Sequence, residues 1–388
     1  MELNKTDNKE KVAIVAVGYN RLKSMKRLLE SLLSANYPSN DIPLVISIDC
    51  SGDQGLYQYV NDFEWPHGKK YVNIQQERLG LLKHIYQCGD LTQYFKAIIL
   101  LEDDLFVSKH FYSYVLKALD VYKDEDRLAE ISLYKNERNG YVGLPFTNEQ
   151  NGSDVFLMQD VSTWGQCWTP QMWKSFVEWR DGHAEDYYLK VDMPSTIKSW
   201  TRAWSKYFNA YVVDTGRFCL YPNVALSTNF SDAGEHGGDN NSLVQVNLQQ
   251  EDFNYRMYDF DHLIKYDIYF NNVDVPSWID IPSDEVCLDM YGFHENVNNR
   301  RYILSSRQLP YKKVKSWAMN LRPWELNVKY NIPGNEIFLF DTSEHGEGDN
   351  SYMTTIVPYF LEGFSQKMIW NYLYNKTKSR ILRKLRLK

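Results

Sequence analysis

The stretch Ile98-Ile99-Leu100-Leu101-Glu102-Asp103-Asp104-Leu105 decides how this chain is read. An apolar run of strand length ends in three consecutive carboxylates. Like charges side by side repel one another, and each loses solvation when partly buried. Such a cluster needs a positive partner. A divalent cation is a candidate, because hard ions such as Mg²⁺ take oxygen ligands and share them with substrate phosphates. The plain alternative is a strand followed by a solvated acidic turn.

The same pattern recurs on both sides. Val12-Ala13-Ile14-Val15-Ala16-Val17 is a continuous apolar run that stops at Gly18-Tyr19-Asn20, as in a strand covered on both faces. Asn20 suits the N-cap of a helix whose stripe is Leu22, Met25, Leu28, Leu29, Leu32 and Leu33. Leu44-Val45-Ile46-Ser47-Ile48 is a second buried strand and ends at Asp49. Tyr71 to Ile74 reads as a weaker third strand, and Leu81 to Phe95 as a helix. Ser108 is placed to cap a helix carrying Phe111, Val115, Leu119 and Tyr122, and Leu128 to Leu133 reads as a strand. Helices are also expected over Pro170 to Arg180 and over residues 195–209, where Trp200, Trp204 and Phe208 fall at i, i+4, i+8. Strand–helix alternation predicts an α/β domain with a mainly parallel sheet. Ligands of such sheets sit beyond the carboxyl ends of the strands. The polar clusters Tyr19-Asn20-Arg21, Asp49 to Asp53 and Glu102-Asp103-Asp104 all fall at strand ends, so they would converge on one crevice. No GxGxxG follows the first strand and no GxxxxGK[ST] occurs, which disfavours a dinucleotide site and a P-loop.

Composition narrows the function classes. With 388 residues, two domains or one with an appendage are expected. A net charge of −7 argues against general nucleic-acid binding. Five scattered cysteines without a CxxC pair indicate neither a zinc knuckle nor a disulfide framework. The polar start carries no apolar signal-peptide segment, and no run approaches the ~18–20 apolar residues of a membrane span, so a cytoplasmic protein is expected. A composition shift near residue 245 suggests a first domain over 1–248, a smaller mixed or β-rich appendage over 249–365 and a basic tail over 366–388. Lys376 to Lys388 hold seven Lys or Arg, and Trp370, Leu373, Tyr374, Ile381 and Leu385 follow helical spacing. A basic amphipathic helix with a Trp suits peripheral contact with the inner face of a membrane. The alternatives are a solvated helix or one docked on a partner subunit, which leaves a homo-oligomer open.

The constellation resembles the GT-A glycosyltransferases, a Rossmann-like fold for nucleotide-diphospho-sugar transfer. The likeness is to the branch typified by N-acetylglucosaminyltransferase I and its bacterial surface-polysaccharide relatives. It covers roughly residues 10–245 and rests on six segments in the family's order. Tyr19-Asn20-Arg21 resembles the first nucleotide-contacting turn, Ser47-Ile48-Asp49-Cys50 the segment whose aspartate contacts the nucleoside, and Glu102-Asp103-Asp104 the DxD metal motif. Ile131 to Asn136, Trp164-Gly165-Gln166-Cys167-Trp168 and the Tyr221 to His236 region resemble the segments that follow. The resemblance implies transfer of a sugar, most often from a UDP-sugar, to an acceptor hydroxyl on a glycan or lipid-linked carrier. It also implies inversion at the anomeric carbon and a divalent metal, Mn²⁺ or Mg²⁺.

On this reading Asp104 and Asp103 are the metal ligands, with Glu102 as a supporting group and His236 as a further metal or phosphate contact. Tyr19, Arg21, Asp49 and Asp103 are the expected nucleotide contacts; Arg78 and Lys83 could pair with the phosphates or be plain surface charges. Trp164, Gly165 and Trp168 are expected at the sugar and acceptor. The acceptor hydroxyl needs a general base. Relatives carry an aspartate near the Trp-containing helix, where this chain has Lys198-Ser199-Trp200-Thr201-Arg202. Asp192 is the nearest choice, and the missing carboxylate leaves open a binding protein that keeps the fold without turnover.

Overall fold

The computed structural model of the chain describes residues 8–233, 242–295, 297–348 and 355–386. Its contacts divide it into two compact units, Met1–Val275 and Pro276–Lys388.

The first unit opens with β1 (Val12–Gly18), α1 (Leu22–Leu33), β2 (Leu44–Ile48), α2 (Gln54–Asp62), β3 (Lys70–Ile74), α3 (Leu81–Gly89) and β4 (Ala97–Glu102). Next come β5 (Leu105–Val107), α4 (Phe111–Tyr122), β6 (Leu128–Ser132), β7 (Val155–Met158), β8 (Gln166–Trp168) and α5 (Pro170–Asp181). The unit continues with α6 (Ser205–Asp214), β9 (Phe218–Pro222), β10 (Ser227–Asn229) and β11 (Lys265–Tyr266). Among the described residues, nine of these strands form one sheet in the order β11-β7-β9-β6-β8-β4-β1-β2-β3. Strands β3, β2, β1, β4, β6 and β9 run one way, and β8, β7 and β11 the other. The expected α/β domain with a mainly parallel sheet is thus present.

Register explains why the polar strand ends meet. Gly18 pairs with Ile48, Ile48 with Ile74, and Val17 with Glu102, so four strands finish at one level. Every residue of β1 and β2 is buried, as their unbroken apolar runs require. The helix α1 covers one face through Met25, Leu28, Leu29 and Leu32, all at 0% exposure. Each such side chain contributes roughly 1.5–3 kcal/mol by leaving water. The N-cap position falls on Arg21, not Asn20, and makes no side-chain cap bond; the Arg21 side chain is directed to the carboxylates after β4 instead.

One sequence expectation is corrected here. Residues 195–209 are not one helix: a four-residue turn, Ser195–Lys198, is separated from α6 by an irregular stretch. Ser199 and Thr201 disfavour helix there, since hydroxyls compete for backbone bonds and β-branching restricts χ1. The contacts divide the two units after Val275, and β11 pairs with β7 inside the first sheet.

The short strand β8 wedges between β4 and β6, antiparallel to both. It carries Trp168 into the core, against Trp173 at 4.8 Å, Trp204 at 5.7 Å and Phe208 at 5.8 Å between ring centroids. The Trp168 indole N–H donates to Glu130 Oε2 at 3.3 Å, and Gln166 Nε2 donates to the same oxygen at 2.5 Å. Burial pushes the Glu130 carboxyl up to about 8, against the pull of these two hydrogen bonds. Glu130 thus holds its proton more readily than a free carboxyl does.

The second unit has a four-stranded sheet in the order β12 (Val286–Asp289), β13 (Tyr302–Ser305), β15 (Ile337–His345), β14 (Tyr311–Trp317). It is the expected β-rich appendage. Ile303, Leu309, Phe338 and Phe340 fill its core. A buried ion pair joins Arg307 to Asp289 at 2.6 Å, with Ser305 Oγ donating to the same carboxylate at 2.9 Å. The edge strand β14 carries Lys312, Lys313 and Lys315, charges that discourage edge-to-edge pairing. The chain continues into α7 (Gln366–Arg386), on which Trp370 is 70% exposed and Tyr374 67%. Among the described residues, no helix is long and apolar enough to cross a membrane.

Candidate functional site

A cavity of about 360 Å³ lies at the carboxyl ends of β1, β2 and β4. Its lining includes Glu102, Asp103 and Asp104, together with Arg21, Asp49, Trp164, Asn229 and Asp232.

The positive partner that the three carboxylates need is supplied by the chain itself. Arg21 Nε donates to Asp103 Oδ2 at 3.3 Å while its Nη2 pairs with Asp103 Oδ1, a two-pronged contact. Arg21 Nη2 also lies 3.2 Å from Asp104 Oδ2. Burial works against the Arg21 charge, but the carboxylates of Asp103 and Asp104 outweigh it and hold its pKa above the ordinary value. Asp103 is pushed up to about 6 by burial, opposed by Arg21. Burial and its two charged neighbours hold Glu102 above the ordinary carboxylate value, opposed by Arg21 and by a hydrogen bond from Thr163.

Asp104 is held more loosely. Its side chain keeps 16% exposure, against 5% for Asp103, and its contacts with Arg21 and with the Asn229 amide are long, at 3.2–3.3 Å. The ribbon β5–β10 brings Asn229 there, pairing Leu105 with Asn229, and Phe230 N donates to the Asp104 carbonyl at 2.9 Å. Beyond it, Asp232 accepts from Ser24 Oγ at 2.7 Å and pairs with Arg27, while its carbonyl accepts from Arg21 Nη1 at 3.1 Å. The sequence reading missed Ser24 and Arg27. Ser24 and Arg27 are three positions apart on α1 and so lie side by side, which was the available signal.

Asp49 is buried and spends its carboxylate on the backbone. Oδ1 accepts from Leu79 N at 2.9 Å and from Cys50 N at 2.8 Å, and Oδ2 from Gly80 N at 2.9 Å. It thereby pins the 78–80 segment beside the cavity, where Gly80 adopts φ +76°, a conformation glycine enters without a Cβ penalty. Arg78 lies over the Tyr19 ring at 4.9 Å on the cavity rim.

Trp164 lines the cavity and meets Tyr134 edge-on at 4.6 Å. Gly165 makes the turn that presents it, with φ +99° and its carbonyl accepting from Leu133 N at 2.9 Å. Three expected residues are elsewhere. Trp168 is at 0% exposure in the core, because strand alternation and the β8 pairing turn it away from the cavity. Lys83 is exposed outside the cavity. Asp192 is exposed, accepts from Tyr269 OH at 2.9 Å and is not among the cavity-lining residues. His236 lies outside the described residues.

Among the described residues, no group of three or more His, Cys, Asp or Glu side chains could hold a metal ion by itself. The donor set nevertheless suits a hard cation that shares substrate phosphates. Such ions need only one or two carboxylates from the protein, and Asp104 offers weakly engaged oxygens to the cavity beside Asp103.

No protein-family model matches the chain. Among solved structures it is similar to S. aureus TarS 1–349 in complex with UDP-GlcNAc, at 16% identity and TM-score 0.36, over 58% of this chain and 60% of that one. It is similar to the mannosyltransferase PcManGT from Pyrobaculum calidifontis in complex with GDP-Man and Mn²⁺, at 12% identity and TM-score 0.32, over 44% of this chain and 47% of that one. A third is GalNAc-T7 with UDP, GalNAc and Mn²⁺, at 11% identity and TM-score 0.38, over 56% of this chain and 43% of that one. The chain thus spans less than two thirds of the length of these neighbours. Scores at this level record a partial likeness of fold and say nothing about the reaction.

Proposed function

We propose that the chain is a metal-dependent glycosyltransferase that takes a sugar from a nucleotide sugar, a UDP-sugar first, to a glycan or lipid-linked hydroxyl. The observation that carries this reading is the meeting of Asp103, Asp104 and Arg21 in one crevice at the carboxyl ends of parallel strands. A diphosphate needs positive charge on its oxygens, a bridging cation needs carboxylates, and both requirements are met within one cavity. Asp104 and Asp103 would hold Mn²⁺ or Mg²⁺. Once bound, such an ion offsets the charge that grows on the departing nucleoside diphosphate.

The chain's own groups do the rest. Arg21, which lines the cavity and holds Asp103 and Asp104, would be the cation available to the phosphates. Arg78, stacked on Tyr19, gives a flat cationic rim for base or phosphate. Asp49 fixes the backbone of residues 78–80, so this rim is held before the donor arrives. Trp164 lines the cavity and would supply an aromatic surface for the sugar. A thermal-shift panel of nucleotide sugars with and without Mn²⁺ tests the reading. A ligand at 100 times its Kd stabilises the native state by about 2.7 kcal/mol, so one donor class should raise the midpoint only with metal. No shift across UDP-, GDP- and other nucleotide sugars would end it.

A second reading, a nucleotide-sugar binder without turnover, is favoured by one observation: Asp192, chosen as the base, does not line the cavity. Metal-dependent binding with no release of nucleoside diphosphate, across a broad acceptor panel, would decide for it. Residues 366–388 hold eight Lys or Arg and no Asp or Glu, beside exposed Trp370, Leu373 and Tyr374 on α7. That supports an acceptor presented at an anionic membrane surface. Co-sedimentation with phosphatidylglycerol vesicles, but not with phosphatidylcholine vesicles, is the expected result; equal recovery with both would count against it.

A further inference from the structure

Past Arg78 the cavity leads into a groove whose further part, from Leu82 to Arg202, the donor reading leaves unused. This groove shares Arg78, Gly80 and Leu81 with the cavity and continues over Lys83 to Arg202. A second depression shares Leu81 and Arg202 with it and runs over Ser199, Trp200 and Thr201. The two depressions have volumes of about 540 and 420 Å³. One side is the start of α3; the other is the irregular stretch that interrupts the expected 195–209 helix.

The lining is of one sign. Arg78, Lys83 and Arg202 contribute three cations, and among the described residues no carboxylate lines either depression. Lys83 and Arg202 are exposed, and among the described residues neither has a carboxylate within ion-pair distance. The chain as a whole carries −7, so a groove free of acid is not the average of its surface. Lys83 and Arg202, brought to one lining from different parts of the chain, add positive potential there, and a concave lining concentrates their field. A neutral sugar would be served by hydroxyl and aromatic groups alone. Those are present too: Trp200 is half-buried and flat, and the Ser199 and Thr201 hydroxyls flank it.

We propose that this groove is the acceptor subsite and that it takes an anionic glycan, one carrying phosphodiester or carboxylate groups along its backbone. The inference rests on the glycosyl-transfer reading, which requires an acceptor channel open to the donor cavity, and the shared residues Arg78, Gly80 and Leu81 provide that opening. Trp200 stacks on a sugar or polyol unit while Lys83 and Arg202 meet successive anionic groups.

The test uses the full chain and its Lys83→Gln/Arg202→Gln double variant. Both are titrated with oligo(glycerol phosphate), oligogalacturonate and neutral dextran of matched length, each with and without UDP and Mn²⁺. Wild type should bind at least one anionic oligomer and not dextran, and the stronger of the two anionic probes names the group recognised. The double variant should bind it about tenfold more weakly, the loss of roughly two charge contacts, with its affinity for UDP unchanged. Binding of dextran as tight as that of the anionic probes, binding of none of them, or an unchanged double variant would each overturn the proposal. Failure of wild type to bind UDP, with the oligomer result read separately, would count against the donor reading and not against the groove.

Discussion

Asp104→Ala should lower metal-dependent donor turnover by on the order of 10²–10³-fold, the range seen when one group that stabilises developing negative charge is removed. The side chain is held more loosely than Asp103: partly exposed, lining the cavity, with contacts no shorter than 3.2 Å. Its removal therefore leaves folding nearly intact, and Asp104→Asn should behave like the alanine variant because an amide is a poor substitute for a charged ligand. Asp103→Ala is a different experiment. Asp103 is almost wholly buried against Arg21, and breaking a buried pair by deleting one partner typically costs 3–5 kcal/mol. Loss of activity there would mix unfolding with lost chemistry. Initial rates of nucleoside diphosphate release, with near-wild-type melting of Asp104→Ala, check the prediction; retention of more than half of the rate would refute the role of Asp104.

Trp168→Ala should destabilise the first unit by roughly 3–5 kcal/mol, the usual cost of deleting a fully buried tryptophan. The ring is enclosed by Trp173, Trp204 and Phe208, and its N–H serves Glu130. If Trp168 instead touched the acceptor, the variant would lose acceptor affinity while keeping its stability, so urea unfolding separates the two roles. The same core gives a pH signature. Folded Glu130 titrates near 8, against 4.5 for the free group. Between those values the folded state keeps a proton that the unfolded state has lost, so this group's stabilisation is whole below the lower value and is lost as pH rises through the upper. The slope is at most about 1.4 kcal/mol per pH unit. Glu130→Gln should remove that slope; a variant whose stability follows the wild-type curve between pH 6 and 8.5 would show that Glu130 is ionised in the fold.

The legible part of the fold was the part encoded in continuous segments. The runs Val12 to Val17, Leu44 to Ile48 and Ile98 to Leu101 are strands because only a strand covered on both faces tolerates so little polarity. Their polar ends meet because parallel pairing keeps them in register. What could not be read was non-local. Nothing local to Arg21 says that it closes on carboxylates 82 and 83 positions away, and a metal was the natural partner to imagine for them. Trp164 and Trp168 share one motif, yet one lines the cavity and the other is sealed in the core. The difference comes from β8 inserting between β4 and β6, a three-residue strand with no pattern of its own. The interruption at 199–204 was hidden by a helical spacing of aromatics, of which only Trp204 and Phe208 are buried.

The central claim is that Asp103, Asp104 and Arg21 form a diphosphate and metal anchor. Calorimetric titration of UDP into the full chain, with Mn²⁺ and with EDTA, addresses it most directly. The account predicts binding in Mn²⁺ that is weakened at least about tenfold by EDTA and by Asp104→Ala, a difference of about 1.4 kcal/mol or more. UDP binding equal in all three conditions, or absent from the wild-type chain with Mn²⁺, would contradict it.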